Sequence, residues 1–119
     1  MSVTYQDLRR GAAIASVFAM WLFVSAGGSE AQNGATVAIS VKNHRFQPTE
    51  AHAPANTPVV LRVKNLDSIA MEFESVSLRV EKVVAANGEG VINLRPLSPG
   101  RYNFFDDFHQ ETQGTLVVQ

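Results

Sequence analysis

Two stretches of this chain alternate so strictly that each must be a half-buried strand. In Thr36-Val37-Ala38-Ile39-Ser40-Val41 every second residue is a branched apolar one. Val59-Val60-Leu61-Arg62-Val63-Lys64 has the same period, with Val59, Leu61 and Val63 on one face. Successive side chains of a strand point to opposite faces, so each stretch offers one face to a core and one to solvent. A helix would spread the same residues around its circumference.

Turn formers punctuate the rest. Lys42-Asn43-His44-Arg45 reads as a polar loop, and Phe46-Gln47-Pro48 leads into an edge-like segment from Thr49 to Ala53. Proline excludes a central strand there. Pro54 to Pro58, Asn65 to Ser68, Asn87 to Gly90 and Ser98 to Gly100 read as turns. Met71 and Phe73 share one face and Glu72 and Glu74 the other, while Val76, Leu78 and Val80 continue on the opposite parity. A bulge near Ser75 and Val76 accounts for the shift, and a short helical turn fits Val80 to Ala86. Val91 to Leu94, Arg101 to Phe105 and Thr115 to Val118 complete the strands. Short strands at this spacing predict an all-β fold, a Greek-key antiparallel β-sandwich.

Residues 1–31 read differently. Arg9 and Arg10 precede an uncharged apolar run from Gly11 to Val24, and small residues follow. These are the parts of a secretory signal peptide, with Ser29-Glu30-Ala31 as the cleavage site. The run is shorter than the roughly 20 apolar residues of a membrane span. The expected organisation is a signal peptide over 1–31, by the Sec or twin-arginine route, and one exported domain over 32–119.

Composition narrows the chemistry. The chain has 10 basic and 11 acidic residues. No basic stripe is visible, which argues against nucleic acid as a partner. It contains no cysteine, so disulfides, zinc–cysteine sites, iron–sulfur clusters and blue copper are excluded. No catalytic triad or phosphate-binding loop is present.

Asp106, Asp107, His109 and Glu111 are gathered between an aromatic strand and the closing strand. Carboxylate and imidazole donors on one short loop suit iron, manganese or zinc, and a thioether such as Met71 adds a preference for copper. The plainer readings are that Asp106 and Asp107 form a solvated turn, that Met71 packs in the core, and that Glu72 and Glu74 lie on a solvated strand face.

Three segments together, V-A-I-S-V-K-N-H-R-F-Q-P, P-V-V-L-R-V-K-N-L-D and P-G-R-Y-N-F-F-D-D-F-H with Q-G-T-L-V-V, resemble the cupredoxin fold over nearly the whole expected domain. Laid on the copper ligands of that fold, Met71 takes the first His position, Asp106 the Cys position and His109 the second His position, and the Met has no counterpart. The N-H-R-F-Q-P, E-F-E-S and F-F-D-D-F-H segments are similar to the EfeO-type cupredoxin-like proteins of bacterial periplasmic iron uptake. Met71 departs from that pattern, standing where an acidic residue is expected before Glu72. The resemblance implies a periplasmic protein that binds, and in a ferroxidase-like reaction oxidises, Fe(II) to Fe(III) before an inner-membrane iron permease and other uptake components receive it. It also implies that the loop after the first strand, the loop before Met71 and the C-terminal loop share one end of the sandwich. His44, Met71, Glu72, Asp106, Asp107 and His109 are then the candidate metal ligands. Two other readings compete: a periplasmic copper carrier built on His44, Met71 and His109, and a non-metal interaction module docking through Phe108.

Overall fold

The computed structural model of the chain describes residues 34–119. The expected signal peptide, its cleavage site and the first two residues of the expected domain lie outside them. The described residues form nine strands: β1 (Ala35–Lys42), β2 (Arg45–Gln47), β3 (Glu50–Ala53), β4 (Val59–Asn65), β5 (Met71–Ser75), β6 (Val80–Val84), β7 (Glu89–Leu94), β8 (Gly100–Asp106) and β9 (His109–Val118). They make a four-stranded sheet in the order β2-β1-β4-β7 and a five-stranded sheet in the order β3-β9-β8-β5-β6. The all-β sandwich expected from the alternation is the observed architecture.

The inward faces are those the alternation assigns. Val37, Ile39 and Val41 of β1 and Val59, Leu61 and Val63 of β4 are buried against Met71, Phe73, Phe104, Leu116 and Val118 of the other sheet. Phe46, Phe73 and Phe104 pack ring to ring at the centre, with Phe46 edge-on to Phe104 at 4.9 Å and Phe104 stacked on Phe73 at 4.9 Å. Pro48 follows β2, an edge strand of the first sheet, and the chain then forms β3, an edge strand of the second. Both edge placements agree with the proline argument.

Four local expectations are corrected. The pairing is not purely antiparallel, because β1 runs parallel to β4 and β3 parallel to β9. Between β1 and β4 the chain visits the opposite sheet, so its return direction is not tied to that of β1. The parity change after Ser75 is a hairpin turn and not a bulge. The Ser75 hydroxyl accepts the Leu78 N–H at 3.2 Å and donates to the Asn103 carbonyl at 2.6 Å, and Arg79 takes a positive φ of 58°. Val80 to Val84 is strand β6 rather than a helical turn, since its backbone pairs with β5 from Met71↔Val84 to Ser75↔Val80. The acidic loop is shorter than expected. Asp106 ends β8, His109 begins β9, and only Asp107 and Phe108 lie between them.

The last correction has a packing cause. β9 begins well before Thr115 because Phe104 and Phe105 pair with Gly114 and Gln113. A Cβ on Gly114 would come within 2.5 Å of the Phe104 ring. Glycine lets the ring lie across β9 and the ladder continue to His109.

Candidate metal centre

Strand alternation divides the candidate ligands into two groups. Residues at equivalent positions of paired strands point the same way. On β5, Met71 and Phe73 face the core, so Glu72 and Glu74 face outward. Phe73 pairs with Asp106 and Glu74 with Phe105, so Asp106 shares the inner face and Phe105 the outer one. His109, paired with Asp106, falls with the inner group.

The inner group gathers at one end of the sandwich. Asp106 is 1% exposed, and both oxygens of its carboxylate take part in organising the loop. Oδ1 accepts the Glu72 N–H and the Phe108 N–H, each at 3.0 Å. Oδ2 lies 2.9 Å from His109 Nδ1. A carboxylate that already accepts two backbone N–H groups acts as an acceptor toward the ring as well. His109 Nδ1 is therefore the nitrogen that donates, and in the neutral imidazole Nε2 is the one with a lone pair to offer. This is the carboxylate–histidine arrangement that orients a metal-binding imidazole. The His44 ring lies against His109, with centroids 4.3 Å apart and planes tilted by 44°.

His44 reaches that place from a tight turn. Lys42 pairs with Arg45, leaving Asn43 and His44 as the two turn residues, with φ of 52° and 59°. Positive φ at both positions is the hairpin turn whose twist matches the flanking strands. Asp67 Oδ1 accepts the Asn43 N–H at 2.6 Å and Oδ2 the His44 N–H at 3.0 Å. The N–H from His44 holds the Asp67 carboxyl below the ordinary aspartate range; partial burial opposes this, and the Asn43 N–H and the nearby His44 and His109 rings add to it.

Met71 is 2% exposed and belongs to the apolar core, which is the plainer of its two sequence readings. The type 1 copper set does not fit these residues. No cysteine is available to supply the thiolate that such a set requires, and the Asp106 oxygens bond backbone N–H groups and His109.

The outer group is acidic. Oxygen atoms of Glu72, Glu74 and Asp107 all lie within 4.8 Å of one another. Among the described residues this is the one set of three such side chains whose donor atoms converge so closely. Glu81 of β6 lies directly across from Glu74. Partial desolvation, then Glu81, Asp107 and Glu74, push the Glu72 carboxyl above its ordinary value. Glu74 is raised by partial desolvation, then by Asp107 and Glu81. Asp107 is fixed beneath the cluster by its N–H, which donates to the Glu72 carbonyl at 2.8 Å.

Of the six candidates, then, His44, Asp106 and His109 come together, Glu72 and Asp107 come together elsewhere, and Met71 is core. The sequence pattern puts Glu74 on a solvated strand face, and the structure makes it the third member of the acidic cluster. Its signal was the two-residue spacing from Glu72, which places both on one face. Glu81 carried no such signal, because its pairing with Glu74 depends on the hairpin.

A profile of the family described as "Cupredoxin-like domain" matches residues 13–118. An uncharacterized protein of Rickettsia prowazekii (strain Madrid E) is 42% identical over 83 residues, 69% of this chain and 66% of the relative. The chain thus spans slightly less than two thirds of that relative's length. Among solved structures, the metal-binding domain of the Cu(I)-exporting P-type ATPase CopA of Streptococcus pneumoniae superposes with a TM-score of 0.65 at 17% identity, over 73% of this chain and 88% of that one. Auracyanin B superposes at 0.62 with 21% identity, over 71% and 88%. A purple cupredoxin from Nitrosopumilus maritimus superposes at 0.54 with 18% identity, over 71% and 99%. The match along the chain, the two-sheet architecture and these superpositions agree: the chain belongs to the cupredoxin-like domain family.

Proposed function

We propose that this chain is an exported, periplasmic metal-binding protein that takes up ferrous iron and assists its transfer to an inner-membrane permease, in the manner of the EfeO-type proteins it resembles. The carrying observation is the convergence of Glu72, Glu74 and Asp107 within 4.8 Å. Three carboxylates on one face repel one another, and a bound cation removes that repulsion. Their oxygens are hard donors suited to iron and manganese. Hard anionic donors favour Fe(III) over Fe(II), so iron held there gives up its electron more readily to an external oxidant such as dioxygen, which is the ferroxidase-like part of the proposal. Iron is cargo in this reading.

A second reading has its own observation. His44 and His109 face each other with ring centroids 4.3 Å apart, and Asp106 fixes the His109 tautomer. Two imidazoles suit copper or zinc. The pneumococcal exporter domain with the same fold was solved with Cu(I), which supports copper as the alternative cargo.

Anaerobic titration of the full chain with Fe(II), Mn(II), Zn(II) and Cu(II) tests both. Under the first reading, Fe(II) binding is lost in Glu74→Gln and Asp107→Asn and kept in His109→Ala. The copper reading gives the opposite pattern. Binding no tighter than about 1 mM for every ion (about −4.1 kcal/mol) would sink both.

A further inference from the structure

We infer that Asp67 and Thr112 are positioning residues that clamp the backbone of His44 from two sides and hold its imidazole against His109 as a preformed two-imidazole site. The inference rests on the two-histidine reading given above.

The hairpin turn at Asn43 and His44 explains its own shape but not where its tip points. That is decided by bonds from outside the hairpin. Both N–H groups of the turn enter the Asp67 carboxylate, at 2.6 and 3.0 Å. The carbonyl of His44 accepts the Thr112 hydroxyl at 2.7 Å. Every backbone polar group of His44 is therefore taken by a side chain distant in sequence.

The two clamps are themselves anchored. The Asp67 N–H donates to Asn65 Oδ1 at 3.0 Å, and its carbonyl accepts the Asn87 N–H at 3.0 Å. Asn65 is fully buried, and its amide nitrogen reaches the carbonyls of Ile69, Val84 and Ala85. Thr112 is buried on β9, three residues beyond His109. Its bond ties the His44 backbone to the strand that carries the facing imidazole. Positive φ at a residue with a side chain persists where the surroundings over-determine it, and here two separate segments, the Asp67 loop and β9, do so.

The clamp fixes the His44 main chain beside the strand that carries His109, where the two ring centroids lie 4.3 Å apart, and holding a ligand's backbone in place is what supporting residues contribute at a metal site. The ligand class is a transition-metal ion that accepts imidazole nitrogen, for which Cu(II) is the probe.

The test compares the full chain with Asp67→Ala, Thr112→Val and Thr112→Ser, each confirmed folded by circular dichroism. Without metal, nuclear Overhauser contacts between the His44 and His109 ring protons are expected in the parent chain and in Thr112→Ser. They are expected to be lost in Asp67→Ala and Thr112→Val. With Cu(II), the parent is expected to show hyperfine coupling to two imidazole nitrogens. The two clamp variants are expected to show one, with about 10–100-fold weaker binding. Should Asp67→Ala not fold, Thr112→Val decides. Unchanged ring contacts in the clamp variants overturn the inference, even if their melting temperatures fall. Should the parent show no nitrogen coupling, the two-histidine reading fails, and the metal-free ring contacts alone decide the clamp.

Discussion

His109 Nδ1 lies 2.9 Å from Asp106 Oδ2, so the two residues that bracket the β8–β9 turn are joined directly through their side chains. The carboxylate is therefore a support for the imidazole and for the loop. Its other oxygen receives two backbone N–H groups.

Asp106→Asn and Asp106→Ala are expected to separate these roles. The amide oxygen of asparagine can still accept both N–H groups, but its NH2 would face His109 Nδ1 as a donor and drive the ring proton to Nε2. Fold stability changes little, while metal binding through His109 weakens about 10–100-fold. Alanine also leaves the two part-buried N–H groups without their acceptor and costs about 1–3 kcal/mol. Urea unfolding beside Cu(II) and Zn(II) titration checks both.

Glu72 and Glu74 make stability fall as pH rises. Their folded values lie above the ordinary 4.5. Below 4.5 the groups are protonated in folded and unfolded chains alike, and nothing is lost. As pH climbs from there through the raised folded values, the folded state is left with the repelling carboxylates. Glu74→Gln is expected to flatten this slope and raise the melting temperature at neutral pH. Mn(II) is expected to stabilise the parent chain more than the variant. Melting curves between about pH 4 and about pH 8, with and without Mn(II), read the outcome.

Asp67 has the opposite sign. Its folded value lies below the ordinary 3.8. The stabilisation is fully present above 3.8 and is lost as pH falls through the lower folded value. The Asn43 and His44 amide resonances are expected to titrate together below 3.8, and to lose that response in Asp67→Asn. Proton–nitrogen correlation spectra across the acid range measure this directly.

Gly114→Ala is expected to destabilise the fold by about 1–3 kcal/mol. The new methyl would meet Phe104 Cε1 at 2.5 Å and Cζ at 2.7 Å, with the Thr49 carbonyl at 3.0 Å on the other side. The ring cannot retreat, because Phe46 and Phe73 pack on it at 4.9 Å each. Phe104→Leu in the same chain is expected to recover part of the loss. Denaturant midpoints of the single and double variants check the coupling.

The sequence by itself determined which faces are buried. Val37, Ile39, Val41, Val59, Leu61, Val63, Met71 and Phe73 could be assigned inward because a strand has a period of two and water sorts the two faces. The same period held the acidic cluster in outline, since Glu72 and Glu74 must share a face. The absence of cysteine by itself removes type 1 copper.

Only the tertiary structure decided how these faces and loops meet. Glu81 joins Glu74 because residues 76–79 form a hairpin turn, whose hydrogen bonds at Ser75 reach to Asn103. Asp106 and His109 left the loop for the strand ends because Gly114 lets β9 extend beneath Phe104. His44 meets His109 through Asp67, 23 residues from it in sequence, and Thr112, 68 residues from it. Local patterning reports what each segment does with water. It carries no term for a carboxylate that bonds the backbone of a distant turn, and those bonds are what bring the candidate site together.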